Sequence, residues 1–343
     1  MPLVDRPADA HLSQRRRALL RRHRVRESFD EVRFARTSDG WEIALSRRRP
    51  RAAPRRRPVV LCHGLGANRF TWDLDPERSV ARHLTEQGFD VFCVELRGHG
   101  RSQRSGPGGR WGWSLWDYAE HDLPAALEAV LELTGADGVH LVGHSMGGIL
   151  LHIRRAHGDG RIRAGIAVAG AVDYSGTPSV FHSAVRLVGA TRVLPALPLG
   201  PIARFFAPVA LAVDNPIDRI NVHPSNVDRS LYRRLCALGF HGISAPVLQT
   251  LAPAMAPGGL RLPDGSPLRP PPRGAPLLAV AGTADLQCHP DAARRGSQAL
   301  RVFGRAYGHE DDYGHFDLLI GRRVPVEVWP ALVGWLVDHD ELP

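Results

Sequence analysis

Lysine is absent: all 44 basic side chains among the 343 residues are arginine. Without lysine there is no internal Schiff base, no pyridoxal phosphate anchor and no phosphate-loop lysine. An all-arginine basic set is also what a GC-rich coding sequence produces. Long apolar runs are missing too, and nothing approaches the roughly 18 consecutive apolar residues that cross a bilayer. Arg15–Arg17 precede only Ala18–Leu19–Leu20 before further arginines, a poor leader core, so the expectation is a cytoplasmic protein. Cysteine is scarce. Cys62, Cys93, Cys236 and Cys288 make neither Cys-x-x-Cys nor a zinc spacing with histidine, so they are expected to be reduced structural thiols, and no metal or cofactor is expected.

Negative charge is in deficit, leaving a net charge of +9. The arginines gather at Arg15–Arg17, Arg21, Arg22, Arg24 and Arg26, then at Arg47–Arg49, Arg51 and Arg55–Arg57. The first cluster suits an anionic surface. No nucleic-acid module or aromatic-interleaved basic stripe accompanies it, so no nucleic-acid partner is expected. Residues 1–27 read as a solvated, loosely helical arm. Apolar content of 43% and charged content of 23% are ordinary for a globular chain large enough for a sizeable core.

The most informative stretch is Val139–His140–Leu141–Val142–Gly143–His144–Ser145–Met146–Gly147–Gly148. A short apolar run enters Gly-x-Ser-x-Gly, and a helical pattern follows from Ile149. Such a strand–turn–helix exposes the serine hydroxyl on a sharp turn, with small residues at Gly143 and Gly147 where the strand and the new helix must touch. The helix start offers free N–H groups to a developing negative charge. Ser145 is the candidate nucleophile.

Other apolar runs end in turn motifs. Pro58–Cys62 leads into His63–Gly64–Leu65–Gly66, and Phe89–Glu95 into Arg97–Gly98–His99–Gly100–Arg101–Ser102. Pro276–Ala281 leads into Gly282–Thr283–Ala284–Asp285. Near the end stands Gly314–His315–Phe316–Asp317–Leu318–Leu319. As a set these motifs resemble the α/β-hydrolase family, over about Phe29 to the end. The resemblance implies a mostly parallel central sheet flanked by helices, with a helical cap inserted after the sixth strand. It also implies the order Ser145, Asp285, His315 as nucleophile, acid and base, with the N–H groups of Leu65 and Met146 as oxyanion donors. Asp173, after the sixth strand, is the rival acid; His309 and His289 are the rival bases. Cys288, three residues past Asp285, is expected to be accessible. His99 reads as structural.

The expected organisation is a basic arm (1–27), a hydrolase core (28–173 and 274–343) and a helical cap (174–273). Within the core, helices are expected at Val80–Gln87, Leu115–Leu133 and Pro325–Val337. The cap segment carries Phe181, Val185, Leu187, Leu194, Ile202, Phe205 and Phe206, expected to cover an apolar acyl group. The C-terminal Asp317–Pro330 stretch is also similar to polyhydroxyalkanoate synthases, which use cysteine where this chain has Ser145. The reading is therefore a serine hydrolase acting on small apolar esters, lipase- or esterase-like. Acyl transfer or thioester cleavage on the same triad is the alternative, and a non-catalytic binding protein is the reading from another class. Peripheral lipid contact through the cap or the arm is also anticipated.

Overall fold

The computed structural model describes residues 3–4, 13–25, 29–104, 111–189, 193–269, 271 and 274–341. Its centre is a ten-stranded sheet. The main strands are β1 (Glu31–Arg36), β2 (Trp41–Arg48), β3 (Val59–Cys62), β4 (Val91–Glu95), β5 (Val139–His144), β6 (Ile162–Val168), β7 (Leu277–Gly282) and β8 (Ala299–Phe303). They lie in the order β1-β2-β4-β3-β5-β6-β7-β8. The β1–β2 hairpin turns at Gly40, whose φ is +89°. β2 pairs antiparallel with β4, and every later pairing is parallel. Two-residue strands, Leu3–Val4 and Gln103–Arg104, add to β1 and β2.

The parallel strands β3 to β7 are runs of Val, Leu, Ile, Ala and Cys that are buried on both faces, which is why they read as continuous rather than alternating. Helices cover those faces: after α1 (Gln14–Arg22), which packs on a later helix, come α2 (Val80–Glu86), α3 (Leu123–Thr134) and α4 (Met146–Ala156). Ser79 caps α2 by accepting Arg82 N–H, and α3 stops at Gly135, whose φ is +67°. Between β6 and β7 come α5 (Phe181–Val188), α6 (Leu199–Phe206), α7 (Pro216–Asn221), α8 (Arg229–Leu238) and α9 (Ala245–Leu251). The last helix is α10 (Trp329–Asp338).

The helix expected over Leu115–Leu133 is present, with a π-turn at Tyr118–Asp122 ahead of α3. There Arg97 donates to Asp122 through its backbone N–H and its Nε, both at 2.8 Å, and holds the bulge in place. Three sequence expectations need correction. The helix expected over Pro325–Val337 is two, Val324–Glu327 and α10. The β6–β7 segment is not free of strands, since Ala196–Leu197 pairs with Ile243–Ser244. The arm is not wholly solvated either. Arg16 and Leu20, one turn apart on α1, are buried, and the Arg16 guanidinium donates to Leu238 O at 3.2 Å. Gly106–Gly109, whose sequence reads as a surface loop, the side chain of Leu187, and Pro270, Pro272 and Arg273 lie outside the described residues.

Candidate active site

β5 delivers Ser145 to the turn at φ 53°, ψ −117°, a strained geometry for a residue with a side chain, and α4 starts at the next residue. The turn closes on bare backbone. A Cβ on Gly143 would stand 2.2 Å from the Gly147 carbonyl carbon, and one on Gly147 would stand 2.3 Å from Cys62 O. A Cβ on Gly170, after β6, would come within 2.5 Å of Ser145 O. Ser145 N–H donates to Val168 O at 2.8 Å, tying the elbow to β6. The serine itself is half-buried.

The loop after β3 lies against this elbow. A Cβ on Gly64 would be 3.0 Å from Ser145 Cβ. His63 fixes the loop from within: its Nδ1 bonds Gly64 O at 2.9 Å, and its Nε2 accepts Leu96 N–H at 3.1 Å. That pattern requires neutral imidazole, and burial pushes the His63 pKa down to about 4. Among the described residues the N–H groups of Leu65 and Met146 donate no hydrogen bond, so two free donors flank the serine.

Asp285 follows β7 and His315 follows a loop thirty residues later; His315 Nδ1 meets Asp285 Oδ2 at 2.9 Å, and both groups are buried. The other oxygen, Oδ1, accepts the backbone N–H groups of Gln287 at 2.8 Å and Cys288 at 3.0 Å. The carboxylate is thus fixed on one side and aimed at the imidazole on the other. His144, the residue before the serine, packs its ring 4.6 Å from that of His315 and donates from Nε2 to His315 O at 3.2 Å. Ser145 Oγ makes no hydrogen bond among the described residues.

The rivals stand elsewhere. Asp173 pairs with Arg295 at 3.0 Å and accepts Ser175 N–H. His309 bonds Gly304 and packs against Phe303 and Tyr313. His289 caps a short helix at Asp291 N. Cys288 is fully buried, contrary to expectation, because its own N–H turns inward to Asp285; burial and then the Asp285 charge hold its thiol pKa well above the usual range. One residue escaped the sequence reading. Asp317, buried two places after His315, accepts Gly314 N–H and His223 N–H, each at 2.8 Å. The Gly-His-x-Asp spacing carried its signal.

The β6–β7 segment closes over these loops. His241 N–H donates to Gly66 O at 2.7 Å, and a Cβ on Gly66 would meet Leu199 and Ile243. Its apolar side chains point elsewhere than anticipated: Ile202, Phe205 and Phe206 are exposed, not packed over the serine.

A family model for the alpha/beta hydrolase fold matches residues 57–197. The chain has the α/β-hydrolase fold. Relatives include a lipase of Caenorhabditis elegans, 33% identical over 31% of this chain and 28% of that protein. A probable lipase of Schizosaccharomyces pombe is 31% identical over 46% of this chain and 39% of its own length. The human gastric triacylglycerol lipase is 33% identical over 32% of this chain and 31% of its own. The chain thus spans less than half the length of each. Among solved structures, a monoacylglycerol lipase of Paleococcus ferrophilus shares the fold at TM-score 0.54 and 22% identity, over 86% of this chain and 99% of that one. A thermophilic esterase from Thermogutta terrifontis does so at TM-score 0.52 and 20% identity, over 90% and 99%. The likeness to polyhydroxyalkanoate synthases remains a reading of the sequence.

Proposed function

We propose that this protein cleaves carboxylic esters through an acyl-enzyme on Ser145. The observation that carries the reading is the buried 2.9 Å bond between His315 Nδ1 and Asp285, beside an elbow that presents Ser145. With Nδ1 held by Asp285, the free Nε2 of His315 is the atom that takes the serine proton as Oγ attacks the ester carbonyl. Asp285 fixes the tautomer and stabilises the imidazolium. The oxyanion of the tetrahedral intermediate takes the N–H groups of Leu65 and Met146, which have no other partner to give up. His315 then protonates the leaving alcohol, and a water, deprotonated by the same imidazole, releases the acid. The Ser145–His315 hydrogen bond forms when substrate fills the turn, as it often does in such sites.

A place for an apolar acyl part is offered by an open surface cavity of about 320 Å³ lined by Trp111, Gly112, Leu194, Pro195, Pro246 and Gln249, with none of the triad or oxyanion residues in its walls. Its walls adjoin the Ala196–Leu197 and Ile243–Ser244 pair, and Ile243 sits over Gly66 beside the oxyanion loop. The relatives' names, all lipases, favour the same substrate class. The test is labelling by a fluorophosphonate together with turnover of soluble nitrophenyl esters. Wild type is labelled and turns over; Ser145→Ala, with unchanged melting temperature, does neither. Ser145→Ala activity within about tenfold of wild type would remove the assignment, since triad losses cost about 10⁴–10⁶ in rate.

A further inference from the structure

With Leu286, Tyr307 and Val326 excepted, every large apolar side chain exposed among the described residues lies between Val193 and Ile217. Phe205 is 78% exposed and Phe206 56%, with their rings 5.1 Å apart on the end of α6. Ile202 and Val209 are exposed beside them. A face of this kind on a folded chain marks a contact surface. The neighbouring element names the partner. Residues 13–25 contain Arg15, Arg16, Arg17, Arg21, Arg22 and Arg24 and no acid. Arg16 and Arg204 bind adjacent carbonyls at the C-terminus of α8, Leu238 O and Ala237 O, each at 3.2 Å. Those two anchors set α1 and α6 side by side on one helix. Arg15 lies close enough to Arg204 to repel its charge. The exposed Arg15 of α1 thus neighbours the residue that precedes the exposed Phe205 and Phe206, and α1 and the end of α6 are taken together as one face.

We propose that this face docks the protein on an anionic phospholipid bilayer, with Phe205 and Phe206 entering the interface and Arg15, Arg21 and Arg22 meeting lipid phosphates. A second copy fits poorly, because residues 193–213 of the same face offer no acid to the arginine cluster of α1. A nucleic acid would engage the arginines and leave the phenylalanines in water. A zwitterionic surface would use the phenylalanines and leave the charge unmatched. Phe side chains beside a polybasic helix match a surface that is apolar below and negative above. This inference does not rest on ester hydrolysis, and it is tested on protein that lacks the nucleophile.

The experiment is co-sedimentation of full-length Ser145→Ala protein with sucrose-loaded vesicles of phosphatidylcholine, alone or mixed with phosphatidylglycerol. The expected result is binding to the mixed vesicles at least about tenfold stronger than to phosphatidylcholine, given roughly fivefold per surface arginine, and weakened by added salt. Adding Phe205→Glu and Phe206→Glu together abolishes binding to the mixed vesicles. Adding Arg15→Glu and Arg22→Glu removes the preference for phosphatidylglycerol. Each variant is checked for wild-type melting temperature, and Ser145-intact versions for unchanged turnover of soluble esters. Equal binding to both vesicles, or binding lost with the arginines but indifferent to the phenylalanines, overturns the proposal. So does a dimer in solution that the phenylalanine pair dissolves.

Discussion

Asp317 reaches back to Gly314: its Oδ2 accepts the Gly314 N–H at 2.8 Å, one residue before His315, while the same oxygen holds His223 N–H from the β6–β7 segment. The backbone turn that carries His315 is thus held by a carboxyl group outside the bond its ring makes to Asp285. Burial pushes the Asp317 pKa well above the carboxylate range, and Oδ1 has no partner, so a neutral side chain suits the site. Asp317→Asn is expected to keep both acceptor bonds, the fold, and kcat/KM within about tenfold of wild type. Asp317→Ala orphans two buried donors at about 1–3 kcal/mol each and loosens the base. Thermal melts and ester kinetics on the two variants separate these outcomes; equal damage by both would refute the neutral-acceptor role.

Asp285→Asn should lower kcat by about 10⁴ with little change in melting temperature, because the amide favours the wrong histidine tautomer. Asp173→Asn should leave kcat within a few-fold, since its half-exposed pair with Arg295 contributes only about 0–1 kcal/mol. A reversal of that ranking in steady-state kinetics would move the acid to the end of β6.

Gly147→Ala is expected to abolish expression of folded protein, or to remove activity from whatever folds. Its methyl would lie 2.3 Å from Cys62 O, a backbone atom that cannot swing aside. Gly158→Ala is the control: nothing lies within 4 Å of the added carbon, although φ is +69°, so only a modest loss of melting temperature follows.

Acid sensitivity follows from buried imidazoles. Burial lowers His63 to about 4, and His99 and His152 to about 3, against 6.5 when unfolded. Between those limits the unfolded chain binds more protons than the folded one, so stability present above pH 6.5 is lost as pH falls toward the folded values. Each such histidine contributes about 1.4 kcal/mol per pH unit across that window. His152→Leu removes one, and with it a buried Nε2 that has no hydrogen bond. Denaturant titrations below pH 6.5 should show a correspondingly shallower slope for that variant, and a parallel curve would contradict the account.

On soluble esters, kcat/KM is expected to rise from acetyl to octanoyl by up to about fourfold per methylene if the chain lies in the Trp111 cavity. Trp111→Ala should flatten that rise with little effect on acetyl ester. Phe205→Ala should leave the profile as it is, because Phe205 faces solvent. Flattening by Phe205→Ala instead would return the acyl group to α6.

Much of this was legible in the chain. Pro58–Cys62, Val139–His144 and Pro276–Ala281 read as strands because both faces are buried, and the motif at each end follows from what a strand end must do next. What stayed hidden depends on distant partners. The π-turn at Tyr118–Asp122 ends on Asp122, whose partner Arg97 lies 25 residues back in sequence. Arg16 is a solvated arginine by composition and a buried one only because α8 ends opposite it. Cys288 looked accessible because sequence distance from Asp285 says nothing about which way a loop turns. The outward face of α6 has the same pattern as an inward one. Edge strand β8, short and half-exposed, left no apolar run to find.

The elbow has one more consequence. Its geometry is set by main-chain atoms at residues 62, 143, 147, 168 and 170, none of which senses what hangs from position 145 beyond Cβ. The place of the side chain at position 145 is therefore set by the backbone alone, and a Ser145→Cys change would leave those main-chain contacts as they are while altering the size and acidity of the group they hold out.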